Sequence, residues 1–194
     1  MTKSELRKLY LQKQKALSPE ERTEKSRLIA GRFFESFDLT GVRYLHCFLA
    51  LEKFNEIDTL PILQRIWQDH PDIVTLVPRI VPGGYDLSHL QFKADTELVR
   101  NAWEISEPAR GTRIQPGRID MVLAPLLAFD ARGHRAGYGK GFYDRFLARC
   151  RPDCLKIGLS YFPPAAEIEG AGEHDIALDA FVTPDRIYRI TTSP

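Results

Sequence analysis

The chain has 194 residues, which is within the range of one globular domain that buries its apolar surface around a single core. Its 27 basic and 26 acidic residues nearly balance, so the charge gives no reason to expect nucleic acid or an anionic membrane as the main partner. No apolar run could span a bilayer, and the charged segment MTKSELRKLYLQKQ lacks the apolar core of a secretory signal. We therefore expect one domain over residues 1–194, a monomer with a cytoplasmic location.

Two helices are predicted at the start of the chain. Thr2 and Glu5 have the spacing of a capping box, which predicts that a first helix begins there. Ser18, Pro19 and Glu21 combine the cap, the first-turn proline and the capping-box acid of a second helix.

Strands and helices alternate through the rest of the chain. The predicted strands are 42–51, 73–77, 121–129, 155–159 and 181–190, and the predicted helices between them are 59–68 and 143–150. The turn-rich segment 82–111 is predicted to form a short antiparallel excursion with connecting loops. This order predicts an α/β fold, a mostly parallel sheet with helices on both faces in a Rossmann-like three-layer architecture. In such a sheet, ligands bind beyond the carboxyl ends of the strands.

A glycine-rich segment follows the most strand-like run of the chain. Gly137, Gly139 and Gly141 come directly before a predicted helix, with Arg135 and Lys140 among them. Glycines let backbone N–H groups approach phosphate oxygens closely, and a helix N-terminus and cations favour the same anion. The alternative is a flexible turn that needs glycine for positive φ angles. The spacing is neither that of a P-loop nor that of a dinucleotide-binding loop, so both interpretations remain open.

The segment IDMVLAPLLAFDARGHRAGYGKGFYDRFL resembles the signature of 5-formyltetrahydrofolate cyclo-ligases. Further family-like pieces occur in the expected order over nearly the whole chain, in KSELR, NEIDT, LVPR, WEISEP and HDIALDAFVT. The chain departs from many relatives at Lys140, where a small residue is usual, and at Phe142, where tyrosine is usual. The approach ALEKFNEIDT also differs from the shorter, proline-containing segment of the family.

The resemblance implies conversion of 5-formyltetrahydrofolate, possibly as a polyglutamate, to 5,10-methenyltetrahydrofolate, with ATP as co-substrate and Mg²⁺ as cofactor. It implies ATP contacts at Lys3, Arg7, Arg135, Ala136, Gly137, Tyr138, Gly139, Lys140, Gly141, Phe142 and Tyr143. It implies catalytic roles for Arg135, Lys140 and Tyr143, folate contacts at Leu51, Glu56, Trp103 and Tyr143, and metal ligation by Asp144 and Asp179. Carboxylate oxygens suit a hard Mg²⁺ ion.

Simpler explanations exist for several of these residues. Lys3 and Arg7 could form the solvated face of an amphipathic helix, and Asp144 could serve only the helix dipole. The pair His174 and Asp175 is interpreted as a structural hydrogen-bond pair. Two other functions also remain: an ATP-independent sugar-phosphate isomerase or acyl-carrier transferase on a similar sheet, and a non-catalytic folate-binding module.

Overall fold

Both predicted N-terminal helices begin at capping boxes in the computed structural model, which describes residues 1–170, 172 and 174–190. Helix α1 spans Lys3–Ala16 and α2 spans Pro19–Ser36. In each, the cap hydroxyl of Thr2 or Ser18 accepts a hydrogen bond from the third helical N–H, and the glutamate at that position reaches back to the cap N–H. These pairs satisfy donors that a helix start leaves without intrahelical partners. The last residues of the predicted domain lie outside the described residues.

The centre of the fold is an eight-stranded sheet. In spatial order its strands are β12 (Ile187–Arg189), β11 (Ala180–Val182), β10 (Leu155–Leu159), β7 (Met121–Pro125), β1 (Tyr44–His46), β2 (Val74–Ile80), β3 (Leu87–Gln91) and β6 (Arg113–Ile114). Two small hairpins lie outside it, formed by β4 (Leu98–Arg100) with β5 (Ser106–Pro108) and by β8 (Ala128–Phe129) with β9 (Arg135–Ala136). The helices that follow are α3 (Leu60–Asp69) and α4 (Phe142–Leu147), and short 3₁₀ turns occupy Glu52–Phe54 and Pro116–Arg118.

The five central strands run parallel, from β11 through β10, β7 and β1 to β2. Antiparallel strands flank them, because β12 pairs with β11 on one side and β3 pairs with β2 on the other. The predicted mostly parallel α/β sheet is confirmed, and so is the antiparallel excursion over 82–111, which supplies β3 to β5, with β6 directly after it.

Alternating side chains of the parallel strands enter two cores, one on each face of the sheet. Leu45, Leu123 and Ile157 lie in the core covered by α2 and α3. Val122 and Phe181 lie in the opposite core, which α4 covers. Helix α1 instead contacts the β8–β9 hairpin, through a third cluster of buried side chains. No helix among the described residues is long and apolar enough to cross a membrane.

Four predicted elements differ from expectation. The predicted strand 181–190 divides into β11 and β12, which turn back on each other and pair antiparallel, and three further elements are shorter than predicted. Strand β1 ends at His46 rather than at residue 51, because the chain leaves the sheet there while Phe48 stays buried in the core. The predicted strand 121–129 divides at Pro125, after which the backbone pairs in the β8–β9 hairpin. Helix α4 ends at Leu147 rather than at residue 150, and further turns complete the segment.

Candidate functional site

The glycine loop, residues 137–141, joins β9 to α4 near the carboxyl end of β1. Gly139 and Gly141 have φ angles of 91° and 67°, a left-handed region that side chains rarely adopt, so glycine is required at both. Gly137 has no such angle, and its carbonyl accepts a hydrogen bond of 2.9 Å from Arg7 Nε. The positive φ angles expected of a glycine turn are therefore present. The same loop also has a cationic neighbour that could bind an anion.

A guanidinium group lies on each side of this loop. A Cβ atom on Gly139 would lie 3.4 Å from Arg7 Nε, and one on Gly141 would lie 3.0 Å from Arg145 Nη1. Arg145 also donates to the carbonyl of Lys140 at 2.6 Å and packs over the Phe142 ring at 5.9 Å. The Lys140 side chain is exposed. The loop is thus held between Arg7 of α1 and Arg145 of α4.

Arg135 is the buried cation of the site, and it pairs with Asp144 at 2.7 Å. Burial lowers the pKa of Arg135, and the negative charges of Asp144 and Asp175 oppose this shift. The same oxygen of Asp144 accepts the N–H of Ile176 at 3.3 Å. The first turn of α4 is therefore tied to the segment that precedes β11.

Asp175 lies in the same charged group, although the sequence suggested only a structural role with His174. Its carboxylate pairs with Lys3 and accepts the Gly172 N–H at 2.6 Å. Burial would raise the pKa of Asp175, but the hydrogen bonds from Lys3 and Gly172 and the charge of Arg135 hold it below its usual value. Lys3 thus reaches the site through an ion pair.

Asp179, the second predicted metal ligand, has different partners. Its side chain is 45% exposed, and its carboxylate accepts the Lys156 N–H at 2.7 Å beside the amino ends of β10 and β11. Asp144 and Asp179 share no hydrogen-bond partner in the part of the chain that the structure describes. Asp175 instead precedes Ile176, whose carbonyl accepts a hydrogen bond from Arg135, and its negative charge acts on Arg135 as that of Asp144 does.

Glu56, which the family resemblance implies as a folate contact, is buried in the loop after β1. Its Oε2 accepts the Leu51 N–H at 2.8 Å, so Leu51 contributes through its backbone. Burial raises the pKa of Glu56 to about 7, while hydrogen bonds from Leu51 and Tyr138 act in the opposite direction. A buried acid with few donors is a suitable acceptor for the N–H groups of a ligand.

Tyr138 connects the glycine loop with the Glu56 segment. Its ring stacks on Phe54 with centroids 4.7 Å apart, and its hydroxyl accepts from Gln14 Nε2 at 3.2 Å. Gln14 also donates to the Phe54 carbonyl at 2.7 Å. The predicted ATP loop and Glu56 are therefore joined through Tyr138, itself an implied ATP contact, and through Phe54 and Gln14, which were not predicted site residues.

Tyr143 lies between the loop and the sheet. Its hydroxyl is buried and has no hydrogen-bond partner among the described residues. Its ring meets His46 edge-on, with centroids 6.0 Å apart, and His46 in turn lies 5.0 Å from His89. The nitrogens of both imidazoles are buried and equally unpartnered within residues 1–170, 172 and 174–190. Polar atoms of this kind cost stability, which marks them as candidates for function.

Trp103 lies at the outer side of the site and is not a core residue. Its side chain is exposed, and its ring lies 6.5 Å from Phe142, which is also near Tyr85 at 6.0 Å. Lys53 donates to the Trp103 carbonyl at 2.8 Å, which joins this turn to the Glu56 segment. Exposed aromatic rings beside a polar site offer a stacking surface for a planar ligand.

The structure brings most of the predicted residues together: Lys3, Arg7, Glu56, Arg135, the glycine loop, Phe142, Tyr143 and Asp144. Ala136 is fully buried beside α1, where it supports the loop and is shielded from solvent. Gln14, Arg145 and Asp175 were not among the predicted site residues. Arg145 and Asp175 stand inside the quoted motifs and could have been found there, whereas nothing in the sequence distinguishes Gln14 from Gln12.

The described residues include no group of three or more histidine, cysteine, aspartate or glutamate side chains that could hold a metal ion. Asp144 and Asp175 offer two carboxylates beside the glycine loop. Hard oxygen ligands of this kind fit Mg²⁺, which keeps waters and substrate phosphates in its shell rather than a complete protein cage.

Comparison with known proteins confirms the family resemblance seen in the sequence. Residues 1–184 match the model of the 5-formyltetrahydrofolate cyclo-ligase family. The chain is 30% identical to the 5-formyltetrahydrofolate cyclo-ligase of Escherichia coli (strain K12), covering 91% of this chain and 97% of that protein. It is 32% identical to the mitochondrial 5-formyltetrahydrofolate cyclo-ligase of Arabidopsis thaliana, covering 91% and 72%.

A solved structure shows the same fold. The 5,10-methenyltetrahydrofolate synthetase of Aquifex aeolicus superposes with a TM-score of 0.78 at 28% identity, covering all of this chain and 95% of the other. The family match, the two curated relatives and this superposition each extend over nearly the whole chain. The chain therefore belongs to the 5-formyltetrahydrofolate cyclo-ligase family.

Proposed function

We propose that the protein uses ATP and Mg²⁺ to convert 5-formyltetrahydrofolate to 5,10-methenyltetrahydrofolate, with release of ADP and phosphate. The observation that carries this proposal is the junction of the glycine loop with Glu56 through Tyr138. One site then offers backbone and cationic groups for phosphates next to a buried carboxylate for a heterocycle. A monomer in the cytoplasm is part of the same proposal.

The reaction requires activation of the formyl oxygen, because the oxygen of an amide is a poor leaving group. The formyl oxygen attacks the γ-phosphorus of ATP, and ADP leaves. N10 of the same folate then attacks the activated carbon and gives up its proton to solvent, and the C–O bond breaks to release phosphate and complete the ring. Positioning and charge stabilisation are the main tasks of the protein in such a transfer.

The residues of the site suit these tasks. Arg7 and Arg135 would neutralise phosphate charge, with Lys140 adding an exposed cation at the loop tip. The N–H groups of the glycine loop would contact phosphate oxygens. Asp144 and Asp175 would hold Mg²⁺, whose positive charge would stabilise the charge that develops during transfer.

The folate would occupy the Glu56 side of the site. The ionised carboxylate can accept two hydrogen bonds from the N–H groups of the pterin edge. Trp103 and Phe142 would stack against aromatic parts of the substrate, and Tyr143 would lie beneath the reacting groups.

For the metal we propose Asp144 together with Asp175, in place of the predicted Asp179. Asp175 precedes Ile176, whose carbonyl accepts a hydrogen bond from Arg135, whereas Asp179 accepts the backbone N–H of Lys156. Asp175→Asn and Asp179→Asn are matched substitutions a few residues apart. We expect the first to raise the Mg²⁺ concentration needed for half-maximal turnover at least about tenfold, and the second to leave it nearly unchanged. The reverse result would restore Asp179 as the ligand.

The reaction itself is tested with purified protein, 5-formyltetrahydrofolate, ATP and Mg²⁺, by following the methenyl product and ADP together. We expect the two products to appear in equal amounts, and neither without ATP or folate. Product formation without ATP would instead indicate an isomerase or transferase. Binding of formylfolate without any turnover would indicate a non-catalytic folate module.

A further inference from the structure

Gln14 is a buried polar side chain that no step of the proposed reaction uses. It is 3% exposed and lies on the inner face of α1. Its Nε2 donates to the Phe54 carbonyl at 2.7 Å and to the Tyr138 hydroxyl at 3.2 Å. Both amide protons are therefore used, and they join two segments that are far apart in the sequence.

Each of these bonds leads toward Glu56. Phe54 ends the 3₁₀ turn that starts after Leu51, and Glu56 returns to Leu51 through its own N–H and through its carboxylate. The Tyr138 ring stacks on Phe54, and its hydroxyl neighbours the Glu56 carboxyl. The position of Glu56 is thus linked to Gln14 both through the turn and through Tyr138.

The same helix also contacts the glycine loop. Arg7 lies two turns before Gln14, on the same face of α1, and donates to the Gly137 carbonyl at 2.9 Å. A helix transmits displacement along its axis because its backbone hydrogen bonds make it stiff. Phosphates that fix Arg7 against the loop would therefore fix the position of Gln14 as well.

We propose that Gln14 is a positioning residue that couples occupation of the glycine loop by a nucleoside triphosphate to binding of the folate at Glu56. This inference rests on the proposed function. Binding of the nucleotide fixes α1 on the loop, and Gln14 then holds Phe54 and Tyr138 in the arrangement that presents Glu56. By thermodynamic reciprocity, the folate strengthens nucleotide binding by the same factor.

The test compares folate affinity with and without nucleotide. 5-Formyltetrahydrofolate is titrated into the protein by calorimetry, alone and with saturating Mg²⁺ and a non-hydrolysable ATP analogue. We expect the analogue to lower the folate Kd of the wild type at least about fivefold. In Gln14→Met, which keeps length and helix propensity but has no donor, we expect this ratio to fall close to one. At saturation of both substrates its kcat should stay within about threefold of the wild type.

Gln12→Met is the matched control, because Gln12 is exposed on the same helix. Gln12→Met should keep the wild-type ratio between the folate Kd without the ATP analogue and the folate Kd with it. Tyr138→Phe is the second variant, since it removes the hydroxyl but keeps the ring on Phe54, and it should also lose the ratio. If Gln14→Met does not fold, the ratio of folate Kd values in Tyr138→Phe tests the coupling instead.

Two results would overturn the coupling: a wild type that binds both ligands without mutual effect, or a wild-type ratio that persists in Gln14→Met or, where that variant is unfolded, in Tyr138→Phe. Either leaves the proposed reaction intact as long as wild-type turnover requires ATP. Absence of ATP-dependent turnover would reject the proposed function itself, so the two failures are distinguishable.

Discussion

Asp120 and Glu56 lie at opposite edges of the parallel sheet, and their pKa values are shifted in opposite directions. At the amino edge, Asp120 accepts hydrogen bonds from Arg151 and from the N–H groups of Arg43 and Tyr44. Although burial opposes it, these bonds hold the pKa of Asp120 below its ordinary value. At the carboxyl edge, burial raises the pKa of Glu56 to about 7, because Leu51 and Tyr138 supply too few donors to offset it.

This difference separates Asp120, which stabilises the fold, from Glu56, which is available to a ligand. A carboxylate whose oxygens accept several protein donors, as Asp120 does, favours the folded state while it is ionised. A buried carboxylate with few donors destabilises the folded state until a ligand supplies more. The predictions below test this contrast between the two edges, beginning with the largest effect.

Asp144→Asn should reduce turnover at least about a hundredfold, because loss of its charge weakens metal binding beside the transferred phosphoryl group. Asp120→Asn is the matched change at the amino edge and should lower the thermal midpoint while kcat stays near the wild-type value. Turnover across a Mg²⁺ titration, together with thermal unfolding, measures both.

Asp144→Asn should also lower stability by about 1–3 kcal/mol, because Arg135 is buried and loses its counter-ion. The midpoint alone therefore cannot identify a metal ligand. Full activity of the variant at ordinary Mg²⁺ would restrict Asp144 to a structural role.

Glu56→Gln should raise the Kd for 5-formyltetrahydrofolate by about 10- to 100-fold and leave nucleotide affinity nearly unchanged. An amide offers one acceptor and one mismatched donor to a pterin edge that presents N–H groups. Calorimetric titration of each ligand separates the two affinities. Equal folate affinity in wild type and variant would remove Glu56 from the folate site.

Glu56→Gln should also show how far the buried charge of Glu56 lowers the free energy of unfolding as the pH rises. The folded-state pKa of Glu56, about 7, lies above the unfolded value, so the acid's favourable contribution is full below about pH 4.3 and is lost as pH rises through 7. Relative to the wild type, Glu56→Gln should therefore gain roughly 1–3 kcal/mol of stability between pH 5 and pH 8. Urea unfolding at both pH values measures this gain, and a constant difference between the proteins would contradict it.

His89→Phe should make the protein less sensitive to acid. Burial lowers the pKa of His89 to about 3, with the charges of Arg149 and Arg113 adding to the shift, and it also depresses the pKa of His46. A lowered folded-state pKa means that stability is full above pH 6.5 and falls as the unfolded chain takes up protons below it.

Between pH 7 and pH 5, the variant should lose about 2 kcal/mol less stability than the wild type, as measured by urea unfolding. Phenylalanine keeps the ring contact with Phe146, whose centroid lies 3.9 Å from that of His89. His70→Phe serves as the control, because solvent reaches His70 at the end of α3. An identical acid response in all three proteins would refute the prediction.

Lys140→Ala should have the smallest effect, a loss of about two- to fivefold in nucleotide affinity with unchanged folate affinity. The side chain is exposed at the loop tip, so water screens its attraction to phosphate. Lys93→Ala, an exposed lysine beyond β3, removes the same charge elsewhere and should leave both affinities unchanged. Equal ATP affinity in both variants would exclude Lys140 from the phosphate site.

Local features of the fold were predictable because a few neighbouring residues determine them. The capping boxes at Thr2 and Ser18 need only a residue three positions later, and the strand Leu155–Leu159 is one short, mainly apolar segment between turns. The positions of Gly139 and Gly141 follow from their φ angles, which only glycine adopts readily. The order of strands and helices likewise predicted a parallel sheet, because parallel neighbours need crossover connections.

The ends of elements depended on the rest of the molecule. The apolar run continues after His46 in the sequence, yet β1 ends at His46. Phe48 is buried in the core although it does not belong to a strand. The run through Pro125 divides for a similar reason, since the following residues find partners in a hairpin. A hydrophobic pattern indicates that residues are buried, but buried residues need not belong to a strand.

The arrangement of the site was decided by tertiary structure alone. The sequence by itself determined the family motifs, the glycine loop and the presence of Glu56 and Asp144. Only the fold placed Tyr138 beside Glu56, and Asp175 rather than Asp179 beside Arg135. The selection of Gln14 over Gln12 also came from the fold, through bonds to residues 40 and 124 positions away. Such contacts join segments whose separation in sequence carries no local signal, because sheet order and helix packing determine which distant groups meet.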